Sequence, residues 1–435
     1  MNIVKWALIP MVVVLVNCGG VEEDSPTREA WDARNHPSLM DVEFLSLEKN
    51  YEMKFDNLPL QGVLSRTPWV GSYWPTYKGG TSYRWASSDL NIERYAYEEL
   101  QYENVRDYEE IKGLSPSEKF DVFTGNRKAF PILRNYRGEP WALTLKEIAY
   151  LDDRWPDWQQ RAEWVNLTTY ERARTGILKT VEGHPDYKEG FKIPTWEGLC
   201  HAWAAASLNL EEPKAVDLEN EAGVTVSFGK ADIRALISLF YHYSSADTAF
   251  LGGRCNQDFA KLYGKVLAGE MSKEAYETAK NGLACRDTNA GAFHVVLSNQ
   301  ISLRDEGFIA DMTRDFEVWN HPVHGFESKV VERQPLTTPK QREELNAAQD
   351  TTEVLVIESV VRYMLERRPG GQEEGHVRYE SKAYYRYRLE LNVDGMIIGG
   401  EWLNEHRPDF LWKQGNPDFS GAFLPLKQIY QHGAN

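Results

Sequence analysis

Only four of the 435 residues are cysteine and ten are histidine, and basic residues fall short of acidic ones, 49 against 65. The resulting net charge of −16 argues against nucleic acid as a partner, because such a partner needs a surface that neutralises phosphates. It argues equally against a basic face for anionic lipid. No Cys/His cluster has zinc-like spacing, and there is no phosphate loop, dinucleotide fingerprint or nucleophile-elbow serine. Calcium is left open: acidic side chains are plentiful, but no EF-hand spacing occurs. Beyond the first residues no apolar run is long enough to span a bilayer. What is present suffices for a normal core, with 42% hydrophobic and 26% charged residues over a length that suits two or three domains.

The one apolar run, Ala7 to Val16, follows Lys5 and is too short and too early for a membrane helix. It ends in Leu15-Val16-Asn17-Cys18-Gly19, which resembles a bacterial lipobox. That likeness implies a signal peptide over 1–17, lipidation of Cys18, and an exported chain that meets the membrane only through its lipid. Asn17 stands where Gly, Ala or Ser is usual, so ordinary signal cleavage nearby is the alternative. Export means an oxidising compartment, in which thiols tend to pair. With Cys18 lipidated, three cysteines remain. Cys255 and Cys285 flank a helical-looking segment, Asp258 to Asn281. A helical hairpin there brings its ends together, so these two are expected to form a disulfide worth about 3–4 kcal/mol in the chain-entropy model. Cys200 is left unpaired.

Residues 18–60 read as an acidic tether leading into a first packed segment. Residues 61–190 read as a Trp-rich, mainly helical region, in which rings beside turn residues (Tyr73-Trp74-Pro75, Tyr77-Lys78-Gly79-Gly80) suggest irregular packing. Ser115-Pro116-Ser117-Glu118 opens a capped helix. The Ala-rich, uncharged stretch 198–210 reads as a buried helix, and Ala231 to Tyr241 as a second. Strands are expected at 292–301 and 308–311, then at 353–364, 383–393 and 396–402, the last two joined by an Asp394-Gly395 turn. Helices first and antiparallel strands after define an α+β class. Its helical part spans 191–285 and its β part 286–415, within a domain covering 191–435.

A thiol at the first turn of a buried helix sits in the field of unpaired backbone N–H groups, which favours thiolate. The plain alternative is a small buried hydrophobe. His294 is the candidate base. If 292–301 and 308–311 form a symmetric hairpin around Ser302 and Leu303, Asp311 lies opposite His294 on one face and can orient its ring. Nucleophile, base and orienter are then Cys200, His294 and Asp311. His201 does not face its neighbour Cys200 along a helix, and His321 and His324 are weaker alternatives for substrate contact.

Trp196-Glu197-Gly198-Leu199-Cys200-His201-Ala202-Trp203-Ala204 resembles the nucleophile motif of the transglutaminase elicitor family of oomycetes, which has bacterial members. Val318-Trp319-Asn320-His321-Pro322-Val323-His324-Gly325-Phe326 resembles its elicitor peptide, with His321 and His324 in place of Gln and Arg. Further matches run from Thr67-Pro68-Trp69 to Pro408-Asp409-Phe410-Leu411-Trp412. The resemblance implies a papain-like fold in which Cys200, His294 and Asp311, in that chain order, act as a triad. It also implies an acyltransferase that joins protein glutamine to lysine or small amines, with protein substrates bearing exposed Gln and Lys, working as a monomer. Trp196, Trp203, Trp319 and Asn320 are the expected substrate contacts, the tryptophans as apolar walls that exclude water. Two rivals use the same thioester, a cysteine peptidase and a glutamine deamidase. A third is a surface binding protein with an inert Cys200.

Overall fold

The computed structural model describes residues 34–41, 50–87, 100–244, 246–254, 257–281, 287–312, 316–369 and 379–434. The apolar leader, Cys18, Cys255 and Cys285 lie outside the described residues. The class is α+β, as the order of elements suggested. The elements that position the site are β1 (Gln61–Val63), α1 (Pro116–Phe123), α2 (Leu167–Thr175), α3 (Cys200–Asn209), α4 (Lys230–Tyr243), β2 (Thr248–Gly252), α5 (Ala290–Leu297), β3 (Phe308–Asp311), β4 (Asn320–Pro335), β5 (Glu353–Met364), β6 (Glu380–Leu391), β7 (Ile397–Trp402) and β8 (Phe410–Gln414).

One antiparallel sheet runs β7-β6-β5-β4-β3-β8-β2, with β1 laid along β4. The sixteen-residue β4 is its spine. It pairs with β3 at its start, with β1 from Gly325 to Glu327, and with β5 over most of its length. One core lies between this sheet and α5, and draws on Phe293, Val296, Tyr385, Tyr387 and Leu389. The other forms around α3 and α4, with α1, α2 and the aromatic segment Trp69 to Trp74.

Local chemistry explains the helices. Ser115 caps α1 with Pro116 in its first turn, and Glu118 completes the capping box. The start of α4 is tied to α1 through a buried ion pair of 2.6 Å between Lys119 and Asp232, and Trp85 donates its indole N–H to the same carboxylate at 2.9 Å. In α3 the run Ala204-Ala205-Ala206 has strong helix propensity and leaves no charge to bury. Phe259–Leu267 and Lys273–Asn281 are helices, as expected between the two cysteines.

Three expectations change. Residues 292–301 are not a strand: α5 is a helix, followed by a π-helical turn over Ser298–Leu303. The side chain of Asn289 accepts from the backbone N–H of Gly291 at 2.8 Å and of Ala292 at 3.3 Å, which starts the helix. Gly291 lets α5 lie directly on β7, where a Cβ would meet the Gly399 carbonyl oxygen at 2.3 Å. Residues 18–60 are not a tether throughout, since Tyr51, Phe55 and Leu58 are buried in the sheet core. Nor do residues 61–190 stand apart, because β1 joins the main sheet and α1 and α2 share the core of α3 and α4.

Candidate active site

Cys200 is the first residue of α3, and no side chain caps that helix start. The thiol therefore stands at a helix start, as the sequence suggested. The thiol is buried, with the residue 5% exposed. The segment around Trp69 to Thr76 crosses over it. The Leu199 N–H donates to the Tyr73 carbonyl, and that of Thr76 to the Glu197 carbonyl. Gly198 permits this approach, because a Cβ there would meet the Tyr73 oxygen at 2.2 Å. On the far side the backbone N–H of Arg367 donates to the Gly71 carbonyl at 2.8 Å.

The sulfur sits between α3 and the start of β4. Its S–H donates to the Val318 carbonyl at 3.7 Å. The side-chain amide of Asn320 donates to the sulfur at 3.5 Å, and the indole N–H of Trp412 donates to the Asn320 oxygen at 2.8 Å. Burial pushes the thiol up to about 11, and the nearby carboxylates of Glu366 and, more weakly, Asp311 push the same way; the backbone and side-chain N–H groups of Asn320 oppose them. In this state desolvation outweighs the helix start, and the group rests as a thiol.

Asp311 is buried next to this centre, and one of its oxygens accepts from the backbone N–H of Trp319 at 3.3 Å. Its cross-strand partner is Asn320, not His294. His294 lies on α5 in the sheet core, fully buried. Its ring stacks on Phe55 at 5.8 Å and bonds the Tyr387 hydroxyl at 2.8 Å. Burial lowers its pKa to about 3. The hairpin that would have set it beside Asp311 does not form, so the expected triad is not assembled.

Among the expected substrate contacts, Asn320 touches the sulfur. Trp319 is half-buried and meets Tyr73 edge-on at 5.6 Å. Trp196 meets Phe316 edge-on at 6.0 Å, and the Arg254 guanidinium lies over both rings. Trp203 is a correction: it is fully buried in the helical core, donates to the Trp69 carbonyl at 3.2 Å and fills the space against Gly71, so it is a packing residue.

One group that acts on the sulfur escaped sequence reasoning. Glu366, just beyond β5, has an 11% exposed side chain and is pushed up to about 7 by burial. Its Oε2 lies 3.6 Å from Nδ1 of His321. That nitrogen is also 3.0 Å from the Met364 carbonyl, which can only accept, so Nδ1 carries the proton. Burial lowers His321 to about 4 and keeps it neutral. In sequence Glu366 heads Glu366-Arg367-Arg368 and reads as a solvated charge run. His324 instead approaches Glu380 at 3.4 Å, and His201 pairs with His242 at 3.1 Å. Among the described residues no group of three metal-ligating side chains is clustered. A cavity of about 1040 Å³ opens at the other end of α3, by Leu208, Asn209, Asp305 and Lys413, and not at Cys200.

This α+β chain, with its long antiparallel sheet, has a solved counterpart in fold. The crystal structure of the GP42 transglutaminase from Phytophthora sojae aligns over 88% of this chain and 94% of that chain, with a TM-score of 0.54 at 22% sequence identity. At that identity the likeness is one of fold. The family model described as transglutaminase elicitor matches residues 40–108 and 180–423. The chain belongs to the transglutaminase elicitor family. The matched residues include Cys200, Asp311, Asn320, Glu366 and Trp412, and leave out 109–179, the stretch containing α1 and α2. No curated protein matches the chain.

Proposed function

We infer that the protein is a protein-glutamine γ-glutamyltransferase with Cys200 as nucleophile. The observation that carries this reading is the thiol itself. In a chain of transglutaminase family and fold, it heads a helix, accepts from a donor amide, Asn320, and feels the charge of a buried carboxyl, Glu366, that burial pushes up to about 7. A group that titrates near the working pH is suited to carry protons both ways.

In this scheme the Cys200 proton passes to the Glu366 carboxylate as sulfur attacks the γ-carboxamide carbon of a protein glutamine. The C–N bond then breaks, the proton goes to the leaving nitrogen, and ammonia departs from a γ-glutamyl thioester. A lysine or small amine attacks the thioester, gives up a proton to Glu366, and expels sulfur with formation of an isopeptide bond. The thiol is restored when that proton returns. The backbone N–H of Cys200 and the amide of Asn320 are the available donors to the oxyanion. Asp311, by holding the Trp319 N–H, orders the loop that carries Val318 and Asn320. Tyr73, whose carbonyl is bonded by Leu199, and Trp319, next to Val318 and Asn320, meet edge-on beside the buried thiol, and in this scheme the substrate displaces one of them. The apolar run before the lipobox-like Leu15-Val16-Asn17-Cys18-Gly19 supports export and lipid anchoring in the cell envelope, and the proposed substrates are surface proteins with exposed Gln and Lys.

The test is incorporation of a labelled primary amine into a glutamine-bearing protein, with ammonia released in equal amount. Wild type should incorporate and Cys200→Ala should not. New chain termini would indicate a peptidase, and ammonia without amine a deamidase. The buried thiol, held protonated, favours one second reading: a non-catalytic surface protein, for which neither product appears.

A further inference from the structure

Asn320 can serve the sulfur only if its amide points the right way round. Rotating the amide by half a turn exchanges a donor for an acceptor at nearly the same place. With Nδ2 toward Cys200 the amide stabilises a thiolate. With Oδ1 there it repels one.

The structure holds a device that decides between the two. The Trp412 indole N–H can only donate, and it lies 2.8 Å from Oδ1 of Asn320. A flipped amide would set N–H against N–H, so Trp412 forces the oxygen to its own side and the NH2 to the sulfur, 3.5 Å away. Trp412 is itself fixed. It lies on β8 between β3 and β2, opposite Ile309 on one side and Phe250 on the other. Its ring stacks on Phe250 at 5.5 Å with planes 10° apart. Phe250 is 49% exposed while Trp412 is 5% exposed, so the outer ring shields the indole bond from water. In a site of low dielectric such a bond is strengthened and its loss is costly.

We propose that Trp412 is a positioning residue that locks the Asn320 amide with its N–H toward Cys200, and that Asn320 is thereby the side-chain donor to the anionic sulfur. This rests on Cys200 being the nucleophile, but its test needs no acyl transfer, so the two readings fail separately.

The experiment is the rate of Cys200 alkylation by iodoacetamide at pH 8.5, followed on the Cys200 peptide by mass spectrometry, with a thermal melt of each protein. Well below the thiol pKa the rate follows the thiolate fraction. Asn320→Ala should slow it about tenfold, roughly the worth of one hydrogen bond to a charged group. Trp412→Phe keeps the ring and its stack but removes the donor, and should slow alkylation to a similar extent. The double variant should be no slower than Asn320→Ala alone, because Trp412 acts only through the amide. Two results would overturn the proposal: a Trp412→Phe rate equal to wild type, or a double variant slower by the product of the two single effects. Should Trp412→Phe fail to fold, Asn320→Asp decides in the native background. Its carboxylate accepts from Trp412 but offers the sulfur no N–H, so alkylation must fall below that of Asn320→Ala; an equal or faster rate rejects the assignment.

Discussion

Replacing Glu366 by Gln should move three observables in a combination that simple damage to the fold would not produce. Burial raises this carboxyl from 4.5 to about 7, so between those values the folded protein binds a proton that the unfolded chain does not. Stability from this group is therefore greatest at low pH, falls as pH rises through that window, and is lowest above about 7. The shift corresponds to an upper bound of roughly 3 kcal/mol at pH 8. Glu366→Gln removes that penalty, so the variant should unfold at higher denaturant than wild type at pH 8 and near the same concentration at pH 4. The carboxylate also helps hold the Cys200 thiol up, so its removal should speed alkylation of Cys200 severalfold. Acyl transfer should slow by about 10²–10⁴, because the proton carrier is gone. The assays are urea unfolding at the two pH values, peptide-resolved alkylation and amine incorporation. A variant with wild-type transfer rates, or one that loses stability at pH 8, would refute the reasoning about this residue.

Lys119→Met should cost about 3–5 kcal/mol, since Asp232 would remain buried with its countercharge gone. Adding Asp232→Asn should recover part of that loss in urea unfolding, and a single variant as stable as wild type would show the pair to be dispensable. Gly291→Ala should lower the unfolding free energy by about 1–3 kcal/mol, because its methyl would collide with the Gly399 carbonyl of β7. An unchanged unfolding midpoint would mean that α5 does not sit so closely on the sheet.

Much of the fold was legible where one signal dominates. The alanine run of α3, the Ser115 capping box and the Asp394-Gly395 turn each specify their element locally, and all three occur. The segment from Ala290 to Leu297 was misread because a short apolar run with valines and an aromatic has the composition of a strand, and eight residues hold too few turns for periodicity to arbitrate. The Asn289 cap did favour helix, and the reason for Gly291 became clear only once β7 was seen to lie against it. That single misreading carried His294 away from Cys200 and left Asp311 facing Asn320. The place of Cys200 at the head of a buried helix was legible because it depends only on the start of α3. Glu366 was illegible for a different reason: its burial, and the reach of its charge to a thiol 166 positions earlier, are tertiary facts, and one acidic residue before two arginines looks like solvated surface. Trp412 was recognised as part of a motif, but its indole bond to Asn320 joins β8 to the start of β4 and has no local sign.

The central claim is that Cys200 carries the γ-glutamyl group. It is tested most directly by mixing the protein with a glutamine peptide without an acceptor amine and quenching in acid. Mass spectrometry then reads the Cys200 peptide. An adduct of the glutamine peptide less one ammonia is expected on Cys200, discharged by added amine and absent from Cys200→Ala. Amine incorporation by Cys200→Ala, or an adduct on any other residue, would contradict it.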